Sequence, residues 1–210
     1  MMLSTARPIG EGRHRKCFVH PDNPTQCIKI LFNKESGGEK EVKRELAYYR
    51  RLQARNIDWS GLPKYFGAIE TDLGVGHVFE FVCDADGSPS KALSHYLEDE
   101  TDRLSSSQLV ALLKALKEYL FRNQIVTMTI KPQNILLRKE ATGKGRLTIV
   151  DNIGEGTLIP LATLSQFFYE KKMERVWKRF IEKLIESGQS KKLEILIPGQ
   201  NSLDLSAKQV

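Results

Sequence analysis

Lys131-Pro-Gln-Asn134, followed by the apolar Ile-Leu-Leu137, is the sharpest local signal in the chain. An asparagine fixed in a tight loop before a strand offers a carbonyl oxygen to a hard cation. Seventeen residues later, Asp151 ends the short apolar run Leu147-Thr-Ile-Val150 and opens Asp151-Asn-Ile-Gly154. A carboxylate at a strand end projects into a cleft and makes a good magnesium ligand. Taken singly, these two are a turn and a strand terminator; in this order and spacing they read as one cation site. Upstream, Lys29 lies inside the apolar run Ile28-Lys-Ile30. An ammonium among strand apolars needs an acidic partner or water. It either holds phosphate or sits on the solvent face of a half-buried strand. Glu45 borders the apolar arc of the next helical segment and can pair with Lys29; Glu41, one turn earlier, competes for that role. Gly10-Glu-Gly12 precedes the first strand, where two glycines either bring backbone amides close to phosphate oxygens or make a plain turn.

These residues need elements to hold them. Cys17-Phe-Val19 and Cys27-Ile-Lys-Ile-Leu-Phe32 read as two strands around the turn signal Asp22-Asn-Pro, which predicts an antiparallel hairpin. Ser36-Gly-Gly38 breaks the pattern, and from Glu39 to about Arg51 a helical period sets in. Val42, Leu46, Tyr49 and Gln53 fall in one arc, with Leu52 on its flank. Trp59 to Pro63 reads as a loop, and Tyr65 to Glu70 and Gly76 to Val82 as two further strands. Cys83 to Pro89 loses periodicity and reads as a linker, which places a lobe boundary between residues 1–83 and 84–210. Beyond it, Leu109, Leu112, Leu113, Leu116 and Leu120 make a helical stripe with Ser105 to Ser107 as its N-cap. Ile125 to Leu137 is a helix-to-strand loop. A last helical region is expected from about Leu161 to Ile185, with Trp177, Phe180 and Ile181 as core.

Composition narrows the function classes. The 210 residues carry 40% hydrophobic and 28% charged side chains, ordinary for a soluble globular chain. The net charge of +6 favours anionic ligands in general but is too diffuse to argue for nucleic acid. Cys17, Cys27 and Cys83 show no metal-ligand spacing, and reduced thiols fit a cytoplasmic protein. The N-terminus lacks the apolar core of a secretory signal, and no apolar run is long enough to span a membrane. His14, among Arg13, Arg15 and Lys16, either meets phosphate or belongs to a solvated loop. The basic amphipathic stretch Glu170 to Lys183 is a candidate surface for acidic partners or membrane, with core packing the simpler explanation.

In order along the chain, the glycine pair, strand lysine, helix glutamate, Asn-bearing loop and strand-end aspartate resemble the protein-kinase pattern. GEGRHRKC, KPQN, DNIGEGTLIPLAT and WKRFI also resemble the bacterial PhoP-regulatory-network family of YrbL type over most of the chain. The resemblance implies an α+β, bilobal, kinase-like fold with a strand-rich first lobe and a reduced, mostly helical second lobe. It further implies ATP and Mg2+ as cofactors and a link to a two-component regulon with an unidentified regulatory partner. Carried over, Lys29 would contact the α/β-phosphates and Glu45 would orient it. Asn134 and Asp151 would hold magnesium, beside Lys131 in the catalytic loop. Gly10 and Gly12 would cover the phosphates, and the main chain of Phe79 to Cys83, including Glu80 and Val82, would meet adenine.

The departures bear on activity. Thr127-Met-Thr129 stands where kinases have His-Arg-Asp, so Thr129 occupies the position of the catalytic base. A hydroxyl does not accept a proton as a carboxylate does, and a general base contributes about 10²–10⁴-fold. Arg15 replaces the third loop glycine and either reaches phosphate or blocks it. Asp-Phe-Gly becomes Asp151-Asn-Ile, with Gly154 one place late and Glu155 after it as a candidate substitute carboxylate. About fifty-five residues follow Gly154 with no Ala-Pro-Glu motif, leaving little room for substrate-docking helices. The expectation is therefore an ATP/Mg-binding protein with weak or specialised phosphotransfer; the alternatives are a pseudokinase-type binding module and a scaffold without nucleotide.

Overall fold

The computed structural model describes residues 1–33, 37–155, 162, 165–189 and 191–197. Strands β1 (Gly10–Glu11), β2 (Arg15–His20) and β3 (Asn23–Leu31) come first, then helix α1 (Gly38–Ala54) and strands β4 (Tyr65–Thr71) and β5 (Gly74–Glu80). All five strands form one antiparallel sheet in the order β1-β2-β3-β5-β4. The second half holds β6 (Lys91–Ala92), α2 (Leu93–Glu98), α3 (Ser106–Arg122), β7 (Ile135–Lys139), β8 (Gly145–Ile149) and α4 (Gln166–Glu186). Strands β6, β7 and β8 pair as a small antiparallel sheet.

The expected hairpin is β2–β3, with Phe18 opposite Ile28 and Cys17 opposite Lys29. Successive strand side chains point to opposite faces, and this divides β3 between two apolar clusters. Ile28 and Ile30 join Phe18, Val78 and Leu3 on the outer face. Cys27 and Phe79 face inward and join the main core. Lys29, two residues from Cys27, therefore shares the inward face, which rules out the solvent-face reading of this lysine. The main core is continuous through both halves and contains Tyr49 and Leu52 of α1, Leu113 and Leu120 of α3 and Trp177 and Ile181 of α4.

Helix α1 is longer than expected and differently faced. Tyr48 is buried where the periodicity left it outside the arc, and Gln53 is exposed, its amide donating to the Tyr65 carbonyl at 2.8 Å. The narrow arc failed because a helix between a sheet and a second lobe buries two sides. Helix α3 starts with a capping box, Ser105 Oγ accepting from the Gln108 amide at 3.3 Å and Gln108 Oε1 from the Ser105 amide at 2.9 Å. Such a cap contributes about 1 kcal/mol. Its leucine stripe is buried except Leu112, which is half-buried, and Tyr119 completes the face. The expected helix start at Leu161 lies outside the described residues. In α4, Trp177, Phe180 and Ile181 are core, whereas Phe167 and Phe168 are exposed. Strand β6 and helix α2 had no sequence expectation; they are too short for either period to register.

Candidate functional site

Between the five-stranded sheet and the second half lies a cavity of about 590 Å³. A volume of this size suits a small-molecule ligand. It is lined by Gly10, Gly12, Lys29, Glu45, Glu80 and Val82 from the first half, and by Lys131, Asn134 and Asp151 from the second. These nine residues, expected from the sequence to contact nucleotide or magnesium, thus border one cavity.

The roof is the β1–β2 hairpin and the inward face of β3. Gly10 pairs with Cys17 across the hairpin, and the Gly12 amide donates to the Arg15 carbonyl at 2.8 Å. Among the described residues, a Cβ at Gly10 or Gly12 would meet nothing closer than 4.0 or 3.7 Å, and neither has positive φ. No clash with the described residues fixes glycine at these two positions.

The charged centre differs from the expected Lys29–Glu45 pair. Arg15 bridges two carboxylates: one guanidinium nitrogen contacts Glu45 and the other contacts Asp151. Lys29 Nζ donates instead to the Val150 carbonyl at 2.6 Å and stands 4.7 Å from the Phe79 ring centroid. Glu45 is 5% exposed, and its second oxygen is buried without a partner among the described residues. Glu41, the competitor, is an exposed neighbour of His14 at 3.8 Å. Burial works against the charge on Arg15, but Glu45 and Asp151 outweigh it and raise its pKa above the ordinary value. Burial likewise opposes the charge on Asp151, yet Lys29, then Arg15 and the Asn152 amide, hold its carboxyl below the usual range. His14 is buried rather than solvated.

The floor is built from two chain segments stitched together. Asn134 closes a 3-10 turn at Pro132–Asn134, its amide donating to the Lys131 carbonyl at 2.9 Å. Its own carbonyl accepts from the Val150 amide at 3.0 Å, which sets Asn134 beside the end of β8. The Met128 amide donates to the Asn152 carbonyl at 3.0 Å and the Gly154 amide to the Val126 carbonyl at 2.8 Å. Gly154 has φ of 105°, and a Cβ there would lie 3.2 Å from Tyr48 Cβ, so both conformation and space require glycine. Tyr48 of α1 reaches across to accept from the Val126 amide at 2.8 Å. Burial pushes its phenol up to about 12.

Thr129, at the expected base position, is exposed and is not part of the cavity wall. Glu155 does not line the cavity either; it pairs with Lys172 of α4 at 3.1 Å and accepts from the Ala162 amide at 3.2 Å. A carboxylate so engaged is a structural anchor, which corrects its candidacy as a substitute base. Beside the segment 79–83, the Val82 carbonyl is taken by the Ser90 amide at 3.1 Å, and the Glu80 side chain pairs with Arg138 at 3.2 Å. The Glu80 carbonyl faces the Cys27 thiol at 3.7 Å. Among the described residues, no group of three or more His, Cys, Asp or Glu could hold a metal ion, and no helix is long and apolar enough to cross a membrane.

Known proteins place this geometry in context. A family described as PhoP regulatory network protein YrbL matches residues 1–185. The chain is 49% identical over 179 residues to YrbL of Escherichia coli (strain K12), covering 85% of each chain, and equally to YrbL of Shigella flexneri. Among solved structures, a chain of the CAK complex from Chaetomium thermophilum bound to ATP-gamma-S aligns with a TM-score of 0.51 and 22% identity. That alignment covers 70% of this chain and 45% of the other. The protein belongs to the PhoP regulatory network YrbL family, and its fold is kinase-like.

Proposed function

We propose that this member of the YrbL family binds ATP in the interlobe cavity and acts as a nucleotide-dependent regulatory protein, with phosphoryl transfer weak or specialised. One observation carries the reading: Lys29, Arg15, Glu45, Asn134 and Asp151, drawn from five separate stretches of chain, converge on one cavity beneath a glycine hairpin. The kinase-like fold and the position of Gly10 and Gly12 in the cavity lining support it.

On this reading Lys29 and Arg15 attract the phosphates, and the Gly10–Gly12 hairpin covers them. The Glu80 carbonyl and the Phe79–Cys83 main chain meet the base, with Cys17 and Cys27 above it. Phosphoryl transfer depends mostly on positioning and charge stabilisation, so slow transfer survives the missing base. Magnesium would neutralise phosphate charge, and Asn134 and Asp151 are the oxygen donors for it. The fit is incomplete, because the Arg15 guanidinium already holds the Asp151 carboxylate.

The pseudokinase alternative is favoured by a specific observation: Thr129 is a hydroxyl outside the cavity wall, and Glu155 is engaged elsewhere. Thermal unfolding with and without ATP tests binding. At a hundred times its Kd, ATP should stabilise the wild type by about 2.7 kcal/mol. Lys29→Met should lose that gain, and an unchanged gain in the variant would sink the assigned site. Transfer above an Asp151→Ala control supports a phosphotransferase; binding without transfer supports the pseudokinase.

A further inference from the structure

Glu45 and Asp151 both border the inner end of the cavity, where a polyphosphate would have to come to reach Lys29. Two carboxylates there repel it. In this chain one guanidinium answers both. Arg15 touches each carboxylate, its side chain is 17% exposed, and its backbone is fixed by pairing of β2 with β3, opposite Leu31. Arginine is charged at every physiological pH and carries five N–H donors in a planar fork that matches phosphate oxygens. Two nitrogens contact the carboxylates; the remaining donors are those that phosphate can use.

Two further facts argue that Arg15 stays where it is. Glu45 is buried and its second oxygen has no partner among the described residues, so withdrawing Arg15 would leave a bare carboxylate away from water. Lys29 is held by the Val150 carbonyl, which leaves Glu45 to Arg15. Among the groups in contact with or closest to Arg15, Arg15 and Lys29 balance Glu45 and Asp151 one for one, so the two carboxylates do not by themselves call for a divalent ion. A magnesium ion, by contrast, demands near-octahedral oxygen ligands. Here it would have Asn134 and a carboxylate already engaged by a tethered cation.

We propose that Arg15 takes the place of the divalent cation, so that the cavity accepts a nucleoside triphosphate as the metal-free anion. The proposal rests on the nucleotide reading above and specifies the form of ligand that the site recognises. Arg15 bridges the two carboxylates and presents its free N–H groups to the phosphates, while Lys29 supplies the second positive charge. No bond is made or broken; the guanidinium does the electrostatic work that a bound metal does in a kinase-like site.

Calorimetric titration of the full chain with ATP, in EDTA and in excess magnesium, separates the possibilities. The wild type should bind in both media with Kd values within about threefold of each other. Arg15→Gln, which keeps a hydrogen-bond donor for Glu45, should bind at least about tenfold more weakly in EDTA and recover when magnesium is added. Arg15→Lys, which keeps the charge without the fork, should fall between them. Wild-type binding that weakens by more than about tenfold in EDTA overturns the proposal and leaves the nucleotide reading standing. An Arg15→Gln variant with unchanged binding in EDTA also overturns it. Absence of ATP binding in both media overturns the nucleotide reading itself. The wild-type comparison decides the matter even where a variant is too unstable to titrate.

Discussion

Above the cavity, Arg15, Lys29 and Glu45 come from a sheet and the helix packed on it, and each has a partner inside the protein. Below it, Lys131 and Thr129 come from a loop and are exposed, and Thr129 leaves the cavity altogether. The roof gathers paired charges around Arg15, and the floor places the Thr129 hydroxyl outside the cavity wall. On the proposed reading, binding falls to the roof and chemistry to the floor. That separation is the physical basis for expecting nucleotide recognition with little turnover.

The largest expected effect tests the contrast directly. Arg15→Met removes the cation between two carboxylates and strands Glu45, which is buried. Breaking a buried pair in this way costs about 3–5 kcal/mol. Its floor counterpart, Lys131→Ala, alters an exposed side chain and should stay within about 0.5 kcal/mol. Urea unfolding midpoints measure both. Equal, small shifts would mean that the roof network is no more rigid than the floor.

The next test asks what ties roof to floor. Tyr48 leaves α1 and accepts the Val126 amide, in the segment that leads to Thr129. Tyr48→Phe strands a buried amide and should cost about 1–3 kcal/mol. Gly154→Ala attacks the same junction from the other side, through a φ of 105° and contact with Tyr48, and should cost about 1–3 kcal/mol. Because the two residues touch, the double variant should lose less than the sum. Simple additivity in chemical denaturation would show that the junction is not one unit.

Much of this arrangement was legible in the sequence, and the parts that were not share a cause. The β2–β3 hairpin, the α3 stripe and the Asn134 loop announce themselves because period, turn residues and caps act over a few positions. Lys29 on the inward face follows from the alternation of Cys27, Ile28 and Ile30 once one knows that both faces of β3 are covered. Arg15 as a bridge was not legible. Its partners lie 30 and 136 residues away, and only the folded geometry decides that the arginine, not Lys29, reaches Glu45. Glu155 reads as a candidate substitute carboxylate because Lys172, which pairs with it, sits on a helix whose approach no local pattern encodes. Tyr48 looks off-face because the helix has two buried sides.

The smallest effect concerns pH and isolates the link between roof and floor at Asp151. Its carboxyl lies below the usual value of 3.8 because Lys29 of β3, Arg15 of β2 and the Asn152 amide outweigh the burial that opposes its charge, with Glu45 of α1 on the far side of Arg15. A native pKa below the unfolded one adds stability that is complete above 3.8 and is lost as pH falls through the lower native value. The side chain is 40% exposed, so solvent screening limits the contribution to about 1 kcal/mol or less. The stability difference between wild type and Asp151→Asn should therefore be flat from neutral pH down to about 4 and shrink only below it. Salt should reduce it in the flat region, since one partner faces the open cavity. A difference that already varies near neutral pH would assign the titration to His77, which feels the charges of Arg15 and Glu45. The contact between Arg15 and Asp151 would then contribute little to holding the two lobes together.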